Sequence, residues 1–307
     1  MRVTFLVVAA AVAQLIGVPA AAASDVRRPS IAFDYSAGEN PEDLSFNPDG
    51  SMNVSMLGKV AQQPPSLVRL QRSGAATTLV RGENGEMLTG NVRADDGTIY
   101  YNLNSPTAAR AGVWKLPPAG QPIRVAAVPG ATFLNGLALH PHGRTLYVAD
   151  SVAGVIWAVD ARQGTSRKWF ENPILAPTEK DRFGANGVRH HRGELWISST
   201  AHGALVKVPI SGTGQPGPMT VVASDVTGID DFTFAADRSD VVIAAANSSD
   251  EVQLIRPDGR RTTILGHDDG LNWPTAVELR GSTLYVTQAG LHEPHDARIW
   301  RIPVQEL

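Results

Sequence analysis

Six polar residues, Glu42, Thr89, Asn135, Asn186, Asp230 and Thr275, each stand at the head of a short apolar run. A turn and a second run rich in β-branched and aromatic residues follow each of them. Two of the six are carboxylates, two are carboxamides and two are hydroxyls, and Asp231 adds a carboxylate next to Asp230. Gathered at one point, these side chains would form a set of hard oxygen donors of mixed charge. Such a set suits calcium, which takes roughly six to eight oxygens in flexible geometry, better than magnesium, which asks for a stricter octahedron. Zinc would call for imidazole or thiolate, and the chain has no cysteine. Taken singly, Asn135-Gly136 or Asn186-Gly187 reads more readily as a turn dipeptide than as part of a site. The case for a site is that donors of matching phase recur in separate repeats. Carboxylates buried together without a cation would also be costly.

The elements that would position these residues are written in the repeat itself. The six starts are separated by about 44 to 51 residues, and each unit carries a third strand signal, such as VWKL from Val113, VIWAV from Val155 and RIWRI from Arg298. Most units have a fourth, such as RKWF from Arg167 and TVVA from Thr220. Period-2 alternation between turn residues, with no amphipathic helical window, predicts an all-β chain. Six units of four strands make a six-bladed β-propeller. The last unit shows only three strands before Leu307, so Ser30 to Tyr35 is expected to supply the fourth and close the ring, since an open edge invites mispairing. In a propeller the opening residue of every inner strand faces the central channel at one end, which is where the six polar residues should meet.

The remaining composition sets bounds. Arg2, the apolar stretch Val3 to Val18 and Ala21-Ala22-Ala23 predict a cleavable secretory signal over 1–23 rather than a membrane anchor. The mature chain, 24–307, then forms a single propeller domain, exported to a periplasm or secreted, with no membrane anchor after processing. Without cysteine no disulfide holds it, so stability must come from a continuous core. A net charge of −3 and no basic run argue against a nucleic-acid partner. A monomer is expected.

With Glu42 in PED, Asn135 in LNGLAL, Asn186 in GANGV and Asp230-Asp231 in GIDDF, the chain resembles the senescence marker protein/gluconolactonase family. Serum paraoxonases and diisopropylfluorophosphatase are related to that family. The resemblance implies a catalytic calcium ion on Glu42, Asn135, Asn186 and Asp230, with Asp231 as a further ligand where the paraoxonase-like pattern has Asn. It implies a calcium-dependent hydrolase of lactones or related esters, aryl esters or phosphotriesters, acting on a small molecule. Thr89 and Thr275 depart from relatives that place His or Asn there, which puts a histidine dyad in doubt. The catalytic candidates are Asp230 as base or nucleophile, Glu42 as anchor, and His202 as a base in a second-to-third strand loop. Asn91, Phe183 and Trp273 are the candidate substrate-pocket residues. The loops Asn172 to Ala185 and His267 to Pro274 would be substrate walls, whereas Lys59 to Ser66 is read as a rim loop. His140, His142, His190 and His191 fall at the opposite end of the channel. The competing reading is a propeller that binds a ligand or partner without turnover, its calcium a structural plug; other divalent cations would also suit the oxygen set.

Overall fold

Short alternating runs bounded by Asp, Asn and Gly turns fold here into twenty-four strands, arranged as six four-stranded antiparallel sheets. The computed structural model describes residues 29–35, 39–58 and 63–304; the expected signal segment and part of the rim loop at Lys59 lie outside them. No α-helix occurs among the described residues, and none of their helical turns could cross a membrane. The fold is a six-bladed β-propeller.

The innermost strands of blades one to six are β2 (Pro41–Phe46), β6 (Met87–Arg93), β10 (Leu134–Leu139), β14 (Ala185–His191), β18 (Ile229–Phe234) and β22 (Pro274–Arg280). From each, the chain steps outward strand by strand. Blade six ends with β24 (Arg298–Pro303), and its outer edge is covered by β1 (Ser30–Asp34), which pairs antiparallel with it, Ile31 opposite Trp300 and Asp34 opposite Arg298. The closure expected from the open last blade is therefore observed.

Six apolar clusters sit where neighbouring blades meet, one per interface. Strands buried on both faces explain the near-continuous apolar runs of second and third strands, such as Leu146, Val148 and Val159 of blade three, all fully buried. Trp157, Trp196 and Trp300 are buried in these clusters, the packing role their recurrence in strands suggests. Because each interface buries large side chains at roughly 1.5–3 kcal/mol apiece, the ring can close without disulfides. Closure is what fixes the inner strands around one axis.

Candidate metal centre

Every inner strand breaks register with its neighbour at the same phase. The slip falls between Pro41 and Asp43, Leu88 and Asn91, Leu134 and Leu137, Ala185 and Val188, Ile229 and Phe232, and Pro274 and Ala276. The residues inside these bulges include all six ring residues. A bulge inserts an extra residue and re-aims its side chain, which is how consecutive residues such as Glu42-Asp43 and Asp230-Asp231 come to line one cavity. That cavity, about 10 Å3, is bounded by Glu42, Asn135, Asn186 and Asp230 together with Asp43, Asp231 and Thr275. It has room for about one water or one ion.

The two Asn-Gly pairs are not turns. Gly136 and Gly187 lie within strands, and a Cβ on Gly136 would stand 2.3 Å from the Asn186 carbonyl oxygen. One on Gly187 would stand 2.7 Å from that of Asp230, and one on Gly90, after Thr89, 2.4 Å from that of Asn135. Each glycine thus lets its blade press against the backbone of the next blade's ring residue, and these contacts bring the donors together.

The amides are oriented by their neighbours. Ser151 Oγ donates its proton to the Ala185 carbonyl at 2.6 Å and Thr200 Oγ1 donates to that of Ile229 at 2.7 Å. Toward the ring each hydroxyl can therefore only accept, and it does so from Asn135 Nδ2 (3.1 Å) and Asn186 Nδ2 (2.9 Å). This assigns the amide oxygens, and among the described residues no donor reaches either of them. Asn247 likewise donates to Asp230 Oδ2 at 2.8 Å. Ser151, Thr200 and Asn247 each follow the second strand of the blade whose ring residue they hold.

The carboxylates are under strain from charge. Glu42 is pushed well above the usual carboxylate range by burial, then by Asp230, Asp43 and Asp231. Asp230 is pushed up to about 7, chiefly by burial, although Asn247 and Asn186 act to lower it. Buried acids that repel one another, beside amide oxygens lacking donors, are what a hard dication would relieve, so the donor set fits calcium. Among the described residues no group of three or more His, Asp or Glu side chains is placed to hold a metal; half of this set is carboxamide.

Asp231 lies in the cavity wall but has a partner of its own: its Oδ2 accepts from Arg189 Nη2, and its buried Oδ1 has no hydrogen bond. Arg189 also reaches Glu278 at 3.6 Å and Asp43 at 3.9 Å. Asp43 accepts from the amides of Leu44 and Asn91. Thr89 and Thr275 donate to the carbonyls of Leu134 and Pro41 in the adjoining blades, so their hydroxyls stitch the ring.

The other expected residues are dispersed. Asn91 is spent between blades one and two, accepting from Ser45 Oγ at 2.6 Å and donating to Ser55 Oγ at 2.9 Å; it lines the cavity at the other end of the channel, not the metal mouth. Phe183 packs on Phe133 with ring centroids 5.2 Å apart and walls a cavity of about 620 Å3 on the metal face, with Leu103, Leu134 and Arg182. Trp273 does not line that cavity: it packs edge-on against His292 at 4.8 Å, and its amide is held by Asp250. His202 is exposed in the second-to-third strand loop of blade four, and the ion-sized cavity has no histidine in its wall. The loop expected as a substrate wall from Asn172 opens on a 3-10 turn, Pro173–Leu175, with Leu175 buried. His140, His142 and His190 cluster at the opposite end, the first two stacked at 3.7 Å.

Arg189, Asp43 and Glu278 were missing from the reading of the sequence. Counting three residues on from Asn186 and from Thr275, through the same bulge, gives Arg189 and Glu278, so the repeat phase could have found them.

No protein-family model matches this chain, and no curated protein is similar to it. Solved structures are. The regucalcin of Agrobacterium tumefaciens, described as a calcium-binding protein, is 19% identical with a TM-score of 0.63, over 89% of this chain and 95% of that one. A protein solved under the provisional name gluconolactonase is 15% identical with a TM-score of 0.67, over 91% and 94%. The virginiamycin B lyase of Staphylococcus aureus is 13% identical with a TM-score of 0.60, over 91% and 89%. At such identities the likeness bears on the fold alone, and proteins described by differing activities share it.

Proposed function

We propose that this chain is a calcium-dependent hydrolase of lactones or related esters, exported by the 1–23 segment and acting as a monomer. The observation that carries the reading is that four donors from four blades, Glu42, Asn135, Asn186 and Asp230, meet at one ion-sized cavity with both amide oxygens left free for a ligand. Calcium bound there would supply a Lewis acid that polarises a carbonyl or phosphoryl oxygen. Glu42 anchors the site. Asp230, with Oδ2 held by Asn247, is positioned to take a proton from an attacking water or to attack directly. The apolar cavity of Leu103, Leu134 and Phe183 would receive the body of the substrate.

A second reading, a binding propeller with a structural calcium ion, is favoured by one observation: no histidine stands in the cavity wall to act as an additional base. The experiment that separates them is a panel of lactones, aryl esters and phosphotriesters run with calcium and with chelator, alongside Asp230→Asn. Chelator-sensitive turnover that Asp230→Asn abolishes supports the hydrolase. Calcium that raises the melting temperature while no substrate turns over rejects it in favour of the scaffold.

A further inference from the structure

Arg189 lines two cavities. Above it lies the ion-sized space of the ring; below it, at the opposite mouth of the channel, opens a cavity of about 700 Å3. The guanidinium spans the channel between Asp43 of blade one, Asp231 of blade five and Glu278 of blade six, and so forms a septum between the two ends. The lower cavity lies within the size range of small-molecule sites. Its floor is the Arg189–Glu278 pair; Leu44, Phe46, Phe234 and Leu279 supply apolar wall, and Arg93, Asp237, His190 and His191 stand around its polar side.

The hydrogen-bond accounting of that floor is incomplete on one side. Arg189 spends Nε on the Phe232 carbonyl at 2.9 Å and Nη2 on Asp231. Glu278 accepts no hydrogen bond from any described residue; its ion pair with the Arg189 nitrogen, at 3.6 Å, is beyond hydrogen-bonding distance. Its side chain keeps 29% of its exposure, on the cavity side. Three carboxylates share one guanidinium here, an excess of negative charge that a cationic donor would offset. Burial raises Glu278 to about 7, with Arg189 acting to lower it.

We propose that the lower cavity is a second ligand site, for a small amphiphilic amine whose ammonium donates to Glu278 while its apolar body lies against Phe46, Phe234 and Leu279. The site is distinct from the metal mouth, from which Arg189 separates it. It stands whether or not the ring is hydrolytic.

Phenethylamine and 3-phenylpropionate, which share a phenethyl body and differ in the sign of the head group, distinguish the charge preference without any variant. Ligand-observed NMR and calorimetry on the wild-type protein should show the amine binding and the acid binding at least tenfold more weakly. Glu278→Gln should weaken the amine at least tenfold, and Leu279→Trp, which adds bulk to the apolar wall without touching the charge, should weaken it as well. Equal binding of the acid, amine binding unchanged in Glu278→Gln, or no binding of either probe to the wild-type protein would each overturn the proposal.

Discussion

Replacing Asp230 by Asn should stabilise the calcium-free protein near pH 8 and remove the stability that calcium adds. Asp230 is buried, and its carboxyl rises from 3.8 to about 7. A raised carboxyl binds its proton more tightly in the folded state, so the contribution to stability is full below pH 3.8 and is lost as pH rises through about 7. That rise corresponds to on the order of 4 kcal/mol, lost by about pH 8 when no cation is present. Asn is neutral and keeps an oxygen for the Asn247 donor, so calcium-free Asp230→Asn should be more stable than calcium-free wild type by up to a few kcal/mol at about pH 8. Near pH 4 the two should coincide. With calcium at a hundredfold excess over its dissociation constant the wild type gains about 2.7 kcal/mol, a gain the variant should lack. In a chain of this size 1 kcal/mol moves the melting temperature by roughly 2–4 °C, so calorimetry at two pH values, with calcium and with chelator, resolves every arm. A variant that keeps the wild-type calcium shift, or that is less stable than wild type in chelator at about pH 8, would refute the assignment of Asp230 as a ligand.

Other expectations come from the same geometry. Gly136→Ala places a Cβ 2.3 Å from the Asn186 carbonyl oxygen; ring contact must lengthen by about 1 Å, costing roughly 1–3 kcal/mol and weakening calcium in a direct titration. Gly212→Ala, with nothing within 4 Å, is the neutral control. Arg189→Met leaves Asp43, Asp231 and Glu278 without their shared cation and should cost about 3–5 kcal/mol in denaturant melts. His190 is lowered to about 4 by burial, then by His140, His191 and His142. It should therefore add stability above about pH 6.5 that fades as pH falls toward 4. Its partial exposure cuts the effect to about 1–2 kcal/mol, and His190→Gln should flatten that part of the stability profile.

Blade count, strand order and closure by β1 were legible because propeller repeats restate one pattern six times: an error in reading one copy is corrected by the others. The ring was legible for the same reason, since Glu42, Asn135, Asn186 and Asp230 share a phase that the bulges make physical. Side-chain partners were not. Asn91 looked like a residue beside the metal because one-dimensional proximity to Thr89 hides that a residue beyond the bulge belongs to a lower level of the channel, where Ser45 and Ser55 occupy its amide. Trp273 and Phe183 both lie in loops entering blades on the metal face, yet they lie apart, because loop conformation depends on local hydrogen bonds, such as Trp273 N to Asp250, that no periodicity encodes.

The glycines connect fold to site most directly. In a strand a glycine ordinarily weakens packing, and three of them at the same phase of adjacent blades would be a liability in a propeller with an empty channel. Here Gly90, Gly136 and Gly187 let three blades close onto the carbonyls of Asn135, Asn186 and Asp230, while the same level in blades one and five carries Asp43 and Asp231, which the Arg189 guanidinium bridges. Small residues on one half of the level and a cation bridging acids on the other give the channel a polar floor directly beneath the ring. Closing that level brings Glu42 and Asp230 together despite their repulsion, so the free energy of blade packing is what assembles the ring, and a cation bound there would return part of it.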